Sequence, residues 1–179
     1  MQELVITAVG PDRPGLVGKL TRPLLEASAN VADSRMINLR GEFALLMLAE
    51  VPDDTVDDVQ AALLVMAQEL DLSITFRGHE RQDDQWPTTV GVPFQLKTYA
   101  MDQPGIVHKI TDVLQRHGVN IEELETNAQP RPQSGAPLFS MSLNMTVPAQ
   151  LSIKQLRQEL ETLCDALNCD IDVTRHPGG

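Results

Sequence analysis

The chain has 179 residues, room for one domain of ordinary size or two small ones. Hydrophobic residues at 42% and charged residues at 22% mark a globular chain rather than a disordered one, and with aromatics at only 3% the core must be aliphatic. Fourteen Lys and Arg against 25 Asp and Glu leave a net charge of −11 with no cluster of five or more basic residues, a surface that repels phosphate and argues against direct DNA or RNA binding.

A first strand is expected at residues 2–9, ahead of DRPGLVGKLT (12–21), which opens a helix over 14–28. Pro23 falls inside that helix and predicts a kink or an early end. Asn30 begins a strand over 30–39, and Arg40-Gly41 closes a tight hairpin into a strand over 42–51. In that strand Phe43, Leu45, Met47, Ala49 and Val51 alternate along one face. The other face, Ala44, Leu46 and Leu48, is too apolar to be left in water without a reason, and Val5 and Val9 are expected to share it. Val56, Val59, Leu63, Met66 and Leu70 form the stripe of an amphipathic helix over 55–70, begun by a weak Thr55–Asp58 capping pair. A strand over 72–78 ends the series, and the polar stretch ERQDDQWPTTVG (80–91) reads as a linker.

The series then starts again. A strand over 92–100 leads into DQPGIVHKIT (102–111), identical to 12–21 at six of ten positions and 90 residues further on. A helix over 104–117 and a strand opened by Asn120 over 120–128 follow at the same offset. QPRPQSGAP (129–137) makes the next loop long and irregular. In the strand over 138–147, Phe139, Met141, Leu143, Met145 and Val147 face inward while Ser140, Ser142, Asn144 and Thr146 face water. Ile153, Leu156, Leu160, Leu163 and Leu167 mark a helix over 152–167, with Ser152 and Gln155 fitting a capping box, before a last strand over 169–175. The chain is thus expected to be α+β: two βαββαβ modules of ferredoxin-like order, residues 1–79 and 92–179, each an antiparallel sheet with its helices on one face. Modules of this size are small for a lone core and are expected to pack on each other or on a second chain.

Cys164 and Cys169 form neither a disulfide framework, a zinc set nor a redox motif, and are expected to be half-buried thiols in a reducing compartment. The N-terminus lacks the features of a signal peptide, and no run approaches a membrane span, so a cytoplasmic protein is expected. His79, His108, His117 and His176 form no metal-ligand pattern, and no nucleophile elbow or Walker motif occurs. No catalysis, metal or cofactor is expected.

The repeated D-x-P-G is the most informative motif. It follows a strand and opens a helix in both copies; proline suits a first helical turn, and glycine allows close approach of backbone to a bound group. Free N–H groups and the helix dipole there favour an anion such as a carboxylate. Asn30 and Asn120 each offer a donor and an acceptor, suited to the two ends of an amino acid. Spacing alone favours a structural reading, in which Asp12 and Asp102 cap turns and the asparagines end helices.

D-x-P-G followed by two aliphatic residues, a helix, and Asn-Val or Asn-Ile opening a strand resembles the ACT domain, a small-molecule sensor of metabolic regulation that most often takes amino acids. Two such modules with no catalytic domain, together with PLFSMSLNMTVPA (137–149), resemble the glycine cleavage system transcriptional repressor family. The resemblance implies a non-enzymatic regulator that senses an amino acid, with glycine as candidate, and acts through a DNA-binding transcriptional activator protein. It also implies binding where two modules meet, between the strand-to-helix loop of one and the second strand of its neighbour. Carried over, the site residues are Asp12, Arg13, Gly15, Leu16 and Asn30 in the first copy and Asp102, Gln103, Gly105, Ile106 and Asn120 in the second. Arg13 against Gln103 sets the two copies apart, as does His108 in place of Gly18. A homo-oligomer is compatible with this reading. A regulatory subunit that clamps a metabolic enzyme is the alternative.

Overall fold

A computed structural model describes residues 1–79, 90–129 and 137–176. The first module runs β1 (Gln2–Pro11), α1 (Leu16–Glu26), β2 (Asn30–Leu39), β3 (Glu42–Val51), α2 (Val56–Leu70) and β4 (Ser73–His79). The second runs β5 (Gly91–Met101), α3 (Ile106–Arg116), β6 (Asn120–Gln129), β7 (Leu138–Pro148), α4 (Ile153–Ala166) and β8 (Cys169–Arg175). Each is a four-stranded antiparallel sheet, ordered β2-β3-β1-β4 in one and β6-β7-β5-β8 in the other. The chain divides into two compact units, residues 1–85 and 86–179. Most of the stretch expected as a linker lies outside the described residues.

The alternation read from the sequence sets the inner face of each sheet. In the first unit Leu4, Ile6 and Ala8 of β1 and the odd-numbered residues of β3 from Phe43 to Val51 are buried under Leu16, Leu20 and Leu24 of α1 and Val59 and Leu63 of α2. In the second, Leu96 and Ala100 lie with the inward residues of β7 under Ile106, Ile110 and Leu114 of α3 and Leu156 and Leu160 of α4. Each fully buried aliphatic side chain stabilises its unit by about 1.5–3 kcal/mol relative to exposure. Thr98, buried in the second sheet, satisfies its hydroxyl by donating to the Asp170 carbonyl at 2.7 Å. The edge strand β2 is exposed along its whole length, and β6 nearly so. Each carries a bulge just after its opening asparagine, at Ala32 and at Glu122, equivalent positions of the repeat.

Local expectations fail in four places. Both first helices begin two residues later than expected, because Gly15 and Gly105 are left-handed N-caps and the prolines before them stand outside the helix. Pro23 does not shorten α1, which ends at Glu26 just as α3 ends at the equivalent Arg116. Its ring forfeits one backbone hydrogen bond but is buried beside Leu20 and Leu24, and that packing carries the helix onward. Ser152 and Thr55 occupy N-cap positions, but neither makes a side-chain cap bond; the Thr55 hydroxyl donates to the Pro52 carbonyl instead. Both thiols are buried rather than half-buried, Cys164 completely, and burial pushes that of Cys164 up to about 11, which holds it as an unreactive thiol at neutral pH.

Candidate functional site

The two D-x-P-G loops have the same backbone shape. Gly15 has φ +86° and Gly105 φ +93°, a region in which a side chain is strained. A Cβ at Gly15 would meet nothing within 4 Å, so the turn itself calls for glycine there. The left-handed residue swings the chain into the helix and aims the first helical amides back toward the loop. Neither helix has a side-chain cap or an acidic residue in its first turn, so those amides and the positive dipole end remain available to an anion. Leu16 and Ile106 send their side chains into the core, which leaves their backbone N–H groups as what they can offer a ligand.

Around this shared frame the loops differ. The Asp12 carboxylate accepts from Asn38 Nδ2, Asn38 Oδ1 accepts from the Gly41 amide at 3.2 Å, and the Asp12 amide donates to the Gly41 carbonyl at 2.8 Å. The loop is thereby tied to the β2–β3 hairpin, and Arg13 is left exposed and, among the described residues, unpaired. In the second module Ala128 replaces Asn38, and Asp102 keeps only the backbone bond, donating to the Pro137 carbonyl at 2.9 Å. There Gln103 does the tying, donating Nε2 to the Leu167 carbonyl at the end of α4. Asn38 escaped the sequence reading, although Asn-Leu-Arg-Gly is a turn signature that points to it.

Asn30 and Asn120 are exposed and make only surface contacts, Asn30 to Glu50 at 3.5 Å and Asn120 to Glu122 at 2.6 Å. Within a module each stands at the far end of the sheet from the loop. Pro11 pairs with Glu42 on β3, whereas Asn30 pairs with Glu50 on the same strand, eight rows or about 26 Å away. The second module repeats this, with Met101 opposite Leu138 and Asn120 opposite Thr146. Within one module, therefore, the loop and the asparagine lie too far apart to touch one small molecule. Asn30 borders an open depression of about 670 Å³ between α1 and the β2 edge, lined also by Gly18, Thr21, Arg22, Leu25 and Val31. It opens to solvent and does not by itself enclose a small molecule.

A cluster that the sequence reading missed ties α3 to α4. His117 lies 2.6 Å from the Glu159 carboxylate, and Arg116 reaches both Glu159 at 3.0 Å and Asp112 at 3.3 Å. The hydrogen bond from His117, with the charge of Arg116, holds the Glu159 carboxyl below its ordinary value despite some desolvation. A depressed carboxylate contributes stability above its unfolded pKa and loses it as pH falls through the folded one. Urea titrations between about pH 6 and pH 3 should therefore show a steeper acid loss in the wild type than in Glu159→Gln. Parallel curves would deny the pair a role. Among the described residues no group of three or more His, Cys, Asp or Glu could hold a metal ion, and no helix is long and apolar enough to cross a membrane.

Comparison with known proteins agrees with this architecture. Residues 2–77 and residues 94–165 each match a model of the ACT domain. The fold and the paired loops thus define a tandem ACT-domain protein. Over 166 residues, 92% of this chain and 85% of the relative, the sequence is 31% identical to the glycine cleavage system transcriptional repressor of Escherichia coli (strain K12), and the chain belongs to that family. A crystal structure of an unknown protein from Galdieria sulphuraria superposes with a TM-score of 0.82 at 30% identity, covering 98% of both chains. A solved candidate glycine cleavage system transcriptional repressor superposes with a TM-score of 0.68 at 26% identity, again covering 98% of both chains.

Proposed function

We propose that this chain is a non-enzymatic, amino-acid-sensing repressor of transcription that acts through a DNA-binding activator protein rather than on DNA itself. The observation that carries the reading is the 31% identity to a transcriptional repressor that runs through both ACT modules. The chemistry of the loops supports the sensing half. A ligand carboxylate meets the amides at the start of α1 or α3, and Asn30 or Asn120 of a neighbouring module completes the grip with one donor and one acceptor. The Asp12 and Arg13 loop and the Asp102 and Gln103 loop present different side chains, so the two sites differ in strength. Glycine, with no side chain to place, suits a site built from backbone. The charge of −11 supports the indirect half, since a chain that repels phosphate needs a partner to reach DNA.

Gel retardation with a promoter duplex of glycine cleavage genes tests the mechanism. The pure chain should leave the duplex unshifted at physiological salt. Added to a duplex already bound by the purified activator, it should supershift or release it, to a degree that depends on amino acid. Specific, salt-sensitive retardation by the chain alone would contradict the reading.

A further inference from the structure

The two loops hold their aspartates differently. In the first module the Gly41 amide, which can only donate, meets Asn38 Oδ1 at 3.2 Å. That turns Asn38 Nδ2 toward Asp12, whose carboxylate can only accept. Both ends of the Asn38 amide are thus assigned by their partners. Asp12 Oδ2 takes the bond, and Oδ1 has no partner among the described residues. The Asp12 backbone is fixed by the same hairpin, its amide donating to the Gly41 carbonyl at 2.8 Å. In the second module Ala128 stands opposite Phe139 as Asn38 stands opposite Phe43. Asp102 keeps the backbone bond, but its carboxylate is exposed and has no partner among the described residues. Gln103 anchors that loop through its own side chain and leaves the aspartate unfixed.

We propose that Asn38 is a positioning residue of the first module's ligand loop: it presents the Asp12 carboxylate to the ammonium group of a bound amino acid and makes this loop the stronger-binding of the two. The proposal rests on the ligand-sensing reading above and adds which loop dominates, and why. An amino acid carries two charged ends. The amides at the start of α1 suit its carboxylate, and its ammonium, with three N–H donors, calls for a carboxylate nearby. An exposed aspartate that moves freely must be ordered when the ligand arrives, which lowers affinity by about three- to tenfold. Asn38 orders Asp12 in the free protein, so the first loop escapes that loss. Asp102 has no such partner, so the second loop bears it.

Calorimetry with glycine as the probe tests the proposal on the full chain carrying Gly105→Val, in which only the first loop is competent. Asn38→Ala should weaken glycine binding by about three- to tenfold. Asn38 is exposed, so the fold should persist, which circular dichroism and the thermal midpoint verify. Two readouts separate positioning from a structural role. Glycolate, with a hydroxyl in place of the ammonium, should bind equally with and without Asn38→Ala. Asn38→Ala added to Asp12→Ala should have no further effect on glycine, because Asn38 acts through Asp12. The second loop, isolated by Gly15→Val, should bind glycine about three- to tenfold more weakly than the first. Unchanged glycine affinity in folded Asn38→Ala, an equal loss for glycolate, a further loss on top of Asp12→Ala, or a second loop as strong as the first would each overturn the proposal and leave the sensing reading standing. No glycine binding to the chain with both loops intact would overturn both.

Discussion

Leu114→Ala should lower the stability of the second unit by about 3–5 kcal/mol, and Leu24→Ala should take a similar amount from the first. The two leucines hold the same place in the repeat, 90 residues apart, and are 0% and 1% exposed. Each lies in the centre of its own aliphatic cluster, between a helix and the sheet. The rigid β-sheet floor beneath each leucine limits collapse of the gap. A unit of this size has on the order of 5–10 kcal/mol to lose, so either substitution removes a large share of it. Urea unfolding followed by circular dichroism measures the change. A loss under about 1 kcal/mol would mean that these positions are not core.

The second large effect concerns the ligand. Gly15→Val and Gly105→Val each force a branched side chain into a left-handed turn, and the loop must move off its shape. Calorimetric binding to the altered half-site should fall below detection while the module stays folded. The asparagines provide the cleaner separation. Asn30 and Asn120 are exposed and bonded only to neighbouring surface carboxylates, so alanine there should change stability by less than about 0.5 kcal/mol. If each asparagine pairs with a bound amino acid, the same alanine should weaken binding by about 1–3 kcal/mol. Unchanged affinity in all four variants would leave the loops and asparagines with a structural role alone.

What the sequence made legible follows from how local each signal is. The D-x-P-G repeat, the two alternations in β3 and β7 and the helical stripes are patterns within single elements, and they were enough to place all twelve elements in order. The apolar outer face followed too, since one identity offset aligns Val5 and Val9 with Gln95 and Tyr99. The long-range side-chain bonds were not legible. Asn38 to Asp12, Gln103 to Leu167 and His117 to Glu159 join residues 26, 64 and 42 positions apart, and no spacing rule connects them. The glycine of D-x-P-G was read for close approach and is used for its dihedral angle. Pro23 was read as a local breaker, and a buried position overruled it. The eight rows between loop and asparagine emerge only from the strand register.

The most direct measurement is a thermal-shift panel of the amino acids on the full chain. A ligand that binds only the folded state adds about 2.7 kcal/mol of stability at a hundredfold excess over its Kd. The account predicts that glycine, or a small set of amino acids that includes it, raises the unfolding midpoint saturably, and that Gly15→Val with Gly105→Val abolishes the rise. A midpoint that no amino acid moves, or a rise that persists in that double variant, would contradict it.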